Sequence, residues 1–407
     1  MRRAGTAPSF PADLKSVNRM QIMEVFKSGN EYTANDISGE IGLSRQTVMK
    51  AVQFFVEKGI IVSHGKGSST SIGGKRPELF SLAGNKFLMC VSVWPDILQF
   101  TLMDLRAGVA DQLSLRQTLS PDPRAALGKV GNLAAKLLKQ NGISGQMLCG
   151  VLISTPGIVD YKTNTLKYNA LRPEWGINVP VGEILRPYFP AGTPMRVENV
   201  AKLTARPWLS EKRVLTVFSS WGGLSGCLME NGRILHGNNS LIGEFGHMIL
   251  DPVSEETCGC GGRGCFQRLV SDAYLQKQAA GMIDAHPDSM LSGLRPEALT
   301  VRDLFSLSAR GDVLARALVS DLAKTFAVAI RNITLVFDPE TVVFHGDYAH
   351  ADEHFQTEFF RQLSEFRYYG QRPFTLELDP TPIETLNLKG AYALLLEMFF
   401  QDPSLYE

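Results

Sequence analysis

Gly243-Glu244-Phe245-Gly246-His247, followed by Cys258-Gly259-Cys260-Gly261-Gly262-Arg263-Gly264-Cys265, is the stretch on which the reading of this chain turns. One imidazole and three thiols supply four soft or borderline ligands, the number and type that a tetrahedral zinc ion takes. Cys258 and Cys260 can reach one metal from a tight turn. Gly261, Gly262 and Gly264 leave the backbone free to bring Cys265 back to it. The plain alternative is three free thiols in a loop, but ordinary loops do not concentrate cysteines among glycines. His247, Cys258, Cys260 and Cys265 are therefore expected to hold a structural zinc, because four protein ligands leave no open position for a bound water.

Around this stretch the composition sets bounds. A chain of 407 residues is long enough for two or three domains. Its 41 Lys/Arg and 41 Asp/Glu cancel, so net charge does not mark a nucleic-acid binder. The cancellation hides an asymmetry: residues 1–80 hold 11 Lys/Arg against 7 Asp/Glu, a basic module ahead of a slightly acidic body. Cys90, Cys149 and Cys227 sit in apolar, strand-like runs and read as small core residues. Nothing suggests a disulfide framework, which fits a reducing cytoplasm. No apolar run reaches the roughly 20 residues that span a bilayer; the run from Ala393 to Phe400 is short and interrupted by Glu397. Arg2 and Arg3 lead into no apolar stretch, so no secretory signal is expected.

In the basic module, Val17, Met20, Met23 and Phe26 recur at helical spacing, and Gly29-Asn30 stops the helix. Thr33 caps a short second helix carrying Ile37 and Ile41, with Asp36 completing an acidic form of the capping box. Gly42 makes a turn, and Ser44 caps a third helix. Val48, Val52, Phe55 and Val56 line one side of it; Arg45, Gln46, Thr47 and Lys50 line the other. This is the helix-turn-helix pattern, whose second helix enters the major groove. A strand over 59–63, a polar loop over 64–74, Lys75-Arg76-Pro77 and a strand over 79–82 add a wing with a basic tip, suited to phosphates or a narrow minor groove. Residues 1–82 are thus expected to form a winged helix-turn-helix domain. Its DNA-facing candidates are Ser44, Arg45, Gln46, Thr47 and Lys50 on the helix, and Lys66, Lys75 and Arg76 on the wing. Base readers and phosphate anchors share these residue types.

Residues 83–407 read as α/β. Strands are expected over 86–93, 97–104 and 113–119, a helix over 123–140, and a buried strand over 149–154 ending at Thr155-Pro156-Gly157-Ile158-Val159-Asp160. The rhythm returns in strands over 214–219 and 225–229, a hairpin turn at Asn231-Gly232, a helix over 312–337 and a strand over 341–345. Strand groups followed by crossover helices, occurring twice, predict two α/β lobes with a cleft between them. Pro190–Pro194 and Pro373–Pro382 read as loops.

Pro156-Gly157-Ile158-Val159-Asp160, Glu198-Asn199, Gly243-Glu244-Phe245-Gly246-His247 and the cysteine cluster together resemble the ROK family of repressors, open reading frames and sugar kinases. More narrowly, the chain looks like the branch of transcriptional repressors with an N-terminal winged helix, and the likeness covers nearly all of it. The resemblance implies an actin-like, hexokinase-like (ribonuclease H-like) two-lobed body, zinc on His247 and the three cysteines, and a sugar site in the cleft. It also implies assembly into homodimers or homotetramers.

The same resemblance shows what has been lost. ROK kinases carry a first-strand Asp-x-Gly-Gly-Thr loop; here Val91-Ser92-Val93-Trp94-Pro95-Asp96 has no glycine pair, and Pro95 lacks an N–H donor. In the second phosphate loop, Ser219-Ser220-Trp221-Gly222-Gly223-Leu224-Ser225-Gly226 keeps some glycines but places Trp221 where a small residue is expected. The later Gly-Gly of the family is His345-Gly346. The family's Glu-Asn-Asp-Ala-Asn, whose Asp is the general base, reads Glu198-Asn199-Val200-Ala201-Lys202. Val200 cannot take a proton, and Glu198 is expected on the opposite side of an extended chain. Asn199, Glu244 and His247 remain on positions that bind sugar hydroxyls in the family, and Asn169, in the Tyr168-Asn169-Ala170-Leu171 segment that follows the Pro-Gly strand, is the fourth sugar-binding candidate; amide, carboxylate and imidazole suit donor–acceptor pairs. The expectation is a non-enzymatic regulator, a repressor of carbohydrate uptake or catabolism genes. It would bind a roughly palindromic operator and respond to a sugar or sugar phosphate. The alternative is an active ATP-dependent sugar kinase with an appended DNA-binding module.

Overall fold

The computed structural model of this chain describes residues 11–66, 77–210, 212–293, 295–365 and 373–402. It divides into two compact units. One takes in the chain as far as Ser154, Pro180–Val197 and the chain from Ala391 onward; the other takes in Thr155–Val179 and Glu198–Gly390. The division falls inside residues 83–407 and leaves the first 82 residues with the first unit.

The first unit opens with three helices, Pro11–Val25, Ala34–Ile41 and Arg45–Glu57. The expected capping box forms: the Thr33 hydroxyl accepts from the Asp36 N–H at 3.2 Å, and the Asp36 carboxylate accepts from the Thr33 N–H at 2.8 Å. Gly42, at φ 71°, ends the second helix by donating its N–H to the Ser38 carbonyl. Ser44 Oγ then accepts from the Thr47 N–H and opens the third, which buries Val48, Ala51, Val52 and Phe55 along one stripe. Strands Tyr32–Thr33, Ile61–Lys66 and Glu78–Leu82 make an antiparallel sheet with the last in the middle. Two residues are too few to show an alternating pattern, so the first of these strands had no signal in the sequence. Lys75 and Arg76 lie outside the described residues, as does the side chain of Lys66.

The larger sheet of this unit runs, from one edge to the other, Met195–Asn199, Leu148–Thr155, Phe87–Val93, Ile97–Asp104 and Val109–Arg116. The last of these starts earlier than the expected 113–119. The Asp104 carboxylate accepts the N–H groups of Arg106 and Gly108, and with Ala107 at φ 65° the chain turns straight back into pairing. Helix Pro123–Gln140 begins on the Asp122 cap and buries Leu127, Val130, Leu137 and Leu138. Cys90 is buried as expected, whereas Cys149 is only partly so, near the mouth of its strand.

The second unit repeats the plan. Its sheet runs Arg233–Ile234, Gly223–Glu230, Val214–Ser220, Thr341–Gly346 and Thr375–Asp379. In both sheets the order, counted in chain sequence, is third, second, first, fourth, fifth. The Thr375–Asp379 strand corrects the loop expected over Pro373–Pro382: it pairs parallel with Thr341–Gly346 at the sheet edge. The prolines lie outside the strand, where they cost no ladder bond. Helix Val313–Phe337, capped by Asp312, supplies the core. Phe326 on it packs with ring centroids 5.4 Å from Phe344, 5.5 Å from Phe355 and 4.3 Å from Tyr348. Each such ring removed from water contributes about 1.5–3 kcal/mol. Cys227 is buried in this unit, and desolvation pushes its thiol up to about 12. The apolar run 393–400 is part of helix Ile383–Gln401, with Leu395, Leu396, Phe399 and Phe400 buried. Among the described residues no helix is long and apolar enough to cross a membrane.

Candidate functional site

The Gly-Glu-Phe-Gly-His segment lies directly on the strand Gly223–Glu230. The Gly226 N–H donates to the Gly243 carbonyl at 2.8 Å. A Cβ at Gly243 would stand 2.1 Å from the Gly226 oxygen, and one at Gly246 would stand 1.8 Å from the Leu224 oxygen. Only glycine allows the two backbones to come this close. Between and after these contacts, Glu244 and His247 are held at fixed heights above the sheet.

His247, Cys258, Cys260 and Cys265 come together as the sequence predicts, with all four ligand atoms within 4.8 Å of one another. Cys260 Sγ lies 3.7 Å from Cys265 Sγ, and Cys258 Sγ lies 3.6 Å from His247 Nδ1. Zinc–sulfur and zinc–nitrogen bonds of about 2.3 and 2.05 Å at tetrahedral angles require edges of about 3.8 Å (S···S) and 3.6 Å (S···N). The donor set and its spacing therefore fit zinc in a closed, structural site, with Nδ1 as the imidazole ligand. Burial lowers the His247 pKa, which favours the neutral ring a metal needs. Burial and the neighbouring thiols push Cys265 up to about 12, the mutual hindrance that a cation at the centre would relieve.

Asn169, Asn199, Glu244 and His247 all line one pocket of about 230 Å³ inside the second unit. That is below the roughly 300–1,000 Å³ of pockets for drug-sized ligands, which limits it to one small molecule. Asn199 ends its strand and caps helix Val200–Ala205: Oδ1 accepts the Ala201 N–H at 2.7 Å, and Nδ2 donates to the Gly157 carbonyl at 2.6 Å. One amide hydrogen and one lone pair remain for a ligand. Asn169 Oδ1 likewise accepts the Leu171 N–H at 3.0 Å. Burial raises the Glu244 carboxyl pKa, and the Lys202 ammonium opposes that rise.

Val200 also lines this pocket, whereas Glu198 does not. The alternation argument for Glu198 needs correcting, because the extended chain stops at Asn199 and position 200 begins a helix. Glu198 instead accepts the N–H of Asn199. The loop at 219–226 is a tight hairpin with Trp221-Gly222 as its two turn residues, and Trp221 lines the pocket.

Some contributors were not visible in the sequence. Gln267 donates from Nε2 to Cys258 Sγ at 3.3 Å and accepts the Leu224 N–H at 3.3 Å, tying the metal cluster to the strand beneath. Glu256 accepts from Lys277 at 2.6 Å and from Arg268 at 3.1 Å, which hold its carboxyl below the usual range. Neither falls in a recognisable spacing; both are set by tertiary contact. In the N-terminal segment, Ser44, Arg45, Gln46 and Lys50 are exposed and Thr47 is half-buried, all in the first turns of the third helix. The Ser44 and Thr47 hydroxyls lie 2.9 Å apart, so both belong to the cap.

The chain thus combines a duplicated five-stranded sheet, a polar pocket and a His/Cys₃ cluster. The sequence matches the ROK family over residues 99–385, and the chain belongs to that family. It is similar to the xylose repressor of Caldicellulosiruptor bescii, 22% identical over 391 residues that cover 94% of each chain. Among solved structures it is similar to a ROK family transcriptional regulator described as a homologue of the E. coli MLC protein. That match has a TM-score of 0.74 at 19% identity, over 95% of this chain and 99% of that one. The ROK hexokinase of Thermus thermophilus matches with a TM-score of 0.59 at 21% identity, over 77% of this chain and 99% of the hexokinase. Regulators and kinases thus share the body's fold, and the regulator's likeness extends over more of this chain.

Proposed function

We propose that this chain is a sugar-responsive transcriptional regulator, a repressor of carbohydrate uptake or catabolism genes, with no kinase activity. Residues 1–82 form a winged helix-turn-helix, and residues 83–407 form the sugar-sensing and oligomerising body. The observation that carries the reading is that Val200, an aliphatic side chain, lines a pocket furnished with amide, carboxylate and imidazole groups, at the position where the family resemblance implies a proton acceptor. Such a pocket can hold hydroxyls but has lost the base that position supplied.

Arg45, Gln46 and Lys50, with Ser44 and Thr47 at the cap, would meet the operator's major groove. A homodimer or homotetramer would present two such helices to a roughly palindromic site. The effector must bind the DNA-incompetent arrangement more tightly than the competent one, since only a difference in affinity shifts the balance. Zinc on His247, Cys258, Cys260 and Cys265 would hold the pocket's rim in shape, and its role is structural.

The test is fluorescence anisotropy of the full chain on DNA from the promoters flanking its gene, with D-xylose, D-glucose, N-acetylglucosamine and their phosphates as effectors. Operator affinity should fall at least about tenfold with one of them. If a sugar binds while DNA affinity never changes, the proposed switch is wrong. A second reading rests on Glu244, a pocket carboxylate of raised pKa that could serve as a base. ATP-dependent phosphorylation of any of these sugars, abolished by Glu244→Gln, would establish the kinase instead.

A further inference from the structure

We infer that Trp221 is a stacking platform for the apolar C–H face of a pyranose, and so a specificity-determining residue of the pocket. The inference rests on the sugar reading given above and deepens it. Ser220 pairs with Gly223, so Trp221 and Gly222 alone make the turn, at φ 53° and 72°. A two-residue turn with both residues at positive φ is of type I′, which selects Asn, Asp or Gly; a bulky aromatic there is strained. Trp221 is therefore not in place for the sake of the turn. Its side chain is half-buried, with the ring of the buried Phe218 6.2 Å away. What the position does provide is an indole on the wall of the pocket that also holds Asn169, Asn199, Glu244 and His247. A bulky residue held at positive φ on the wall of a polar pocket points to a ligand contact.

The pocket thus offers two kinds of surface to one small ligand: hydrogen-bonding groups for hydroxyls and an aromatic face for carbon-bound hydrogens. A pyranose carries both. A linear polyol or an inorganic anion carries no such apolar face.

The experiment titrates the full chain with D-glucose, D-xylose, N-acetylglucosamine and glucose 6-phosphate by calorimetry, with sorbitol and AMPPNP as contrasts, and follows tryptophan fluorescence in parallel. At least one pyranose should bind and change the emission. Trp221→Gly should weaken that binding about tenfold or more and abolish the emission change. The same variant should leave Tm unchanged or raise it by about 1–2 °C, because glycine relieves the turn. Trp221→Phe should restore most of the affinity. A pyranose that binds wild type and Trp221→Gly equally would overturn the inference and leave the sugar reading intact. No binding by any pyranose would overturn both. AMPPNP binding that depends on Trp221 would assign the indole to a nucleotide and overturn the inference.

Discussion

The two units close the first hairpin of the same sheet plan in different ways, and a tryptophan marks each. In the first unit the Trp94 N–H donates to the Ile97 carbonyl at 3.1 Å, so Pro95 and Asp96 make the turn and Trp94 precedes it. Its indole is 2% exposed and reaches Ser154 Oγ at 3.4 Å. In the second unit Trp221 stands one place further along, in the turn itself, and its indole forms pocket wall. A shift of one position relative to the turn separates a ring in the core from a ring on the pocket wall. The register carries the contrast one strand further. Counted back from the turns, Ser92 and Phe218 correspond, and their parallel neighbours are Ser154 and His345. The first unit uses that place to anchor its tryptophan; the second puts a buried imidazole there.

The largest difference between the units should come from metal. Among the described residues only the second unit contains a His/Cys₃ cluster, and binding energies for structural zinc reach about 10–16 kcal/mol in small domains. Chelation, or Cys265→Ser, should lower one calorimetric transition of the full chain by about 5 °C or more and leave the other in place, with zinc lost by elemental analysis. Equal shifts of both transitions would show that the units are not independent in this respect.

Next comes the backbone approach under the Gly-Glu-Phe-Gly-His segment. Gly246→Ala should cost about 3–5 kcal/mol in chemical denaturation, because its Cβ must displace a carbonyl. Gly223→Ala, whose Cβ would meet nothing nearer than 3.6 Å, should cost under about 1 kcal/mol. Similar costs at the two sites would undo the account of why those glycines are there.

His345 adds a pH effect that Ser154 cannot. Burial lowers its pKa to about 4, and the Asp379 carboxylate 3.6 Å away only partly offsets this, so at neutral pH the contact is not an ion pair. The unfolded chain therefore takes up the proton first. Stability is intact above about pH 6.5 and falls as pH drops towards 4, by about 3 kcal/mol over that window. Denaturation midpoints measured from pH 7 to 4.5 should show this slope, and His345→Asn should flatten it. The smallest effect is Trp94→Phe, which removes the bond to Ser154. It should cost about 1 kcal/mol of stability and leave sugar affinity untouched, in contrast to substitution of Trp221.

The sequence disclosed the features that local chemistry determines. The Thr33–Asp36 capping box, the Ser44 cap and the two ends of helix Pro123–Gln140 need only neighbouring residues, and each formed as read. The gathering of His247 with Cys258, Cys260 and Cys265 was legible because thiols among glycines have few uses other than holding a metal. Strand Thr375–Asp379 was hidden by flanking prolines, although its Thr-Leu-Glu-Leu-Asp alternation was available. The reach of Gln267 to both Cys258 and Leu224 joins residues far apart in the chain, and no periodicity encodes it. Trp221 was visible as an intruder in a phosphate loop, but its positive φ and its place on the pocket wall came only with the structure.

Asn199 caps a helix, ties down Gly157 and faces the pocket with one side chain, and Asn169 similarly anchors Leu171. Changes at either residue will unsettle the scaffold along with recognition, so such alleles will be purged as misfolded protein before they can be scored. If the proposed sugar switch holds, a genetic hunt for alleles that no longer respond to the effector should accordingly be skewed towards Glu244 and Trp221. The spectrum it returns will trace which pocket residues the scaffold can spare, and will underreport those it cannot.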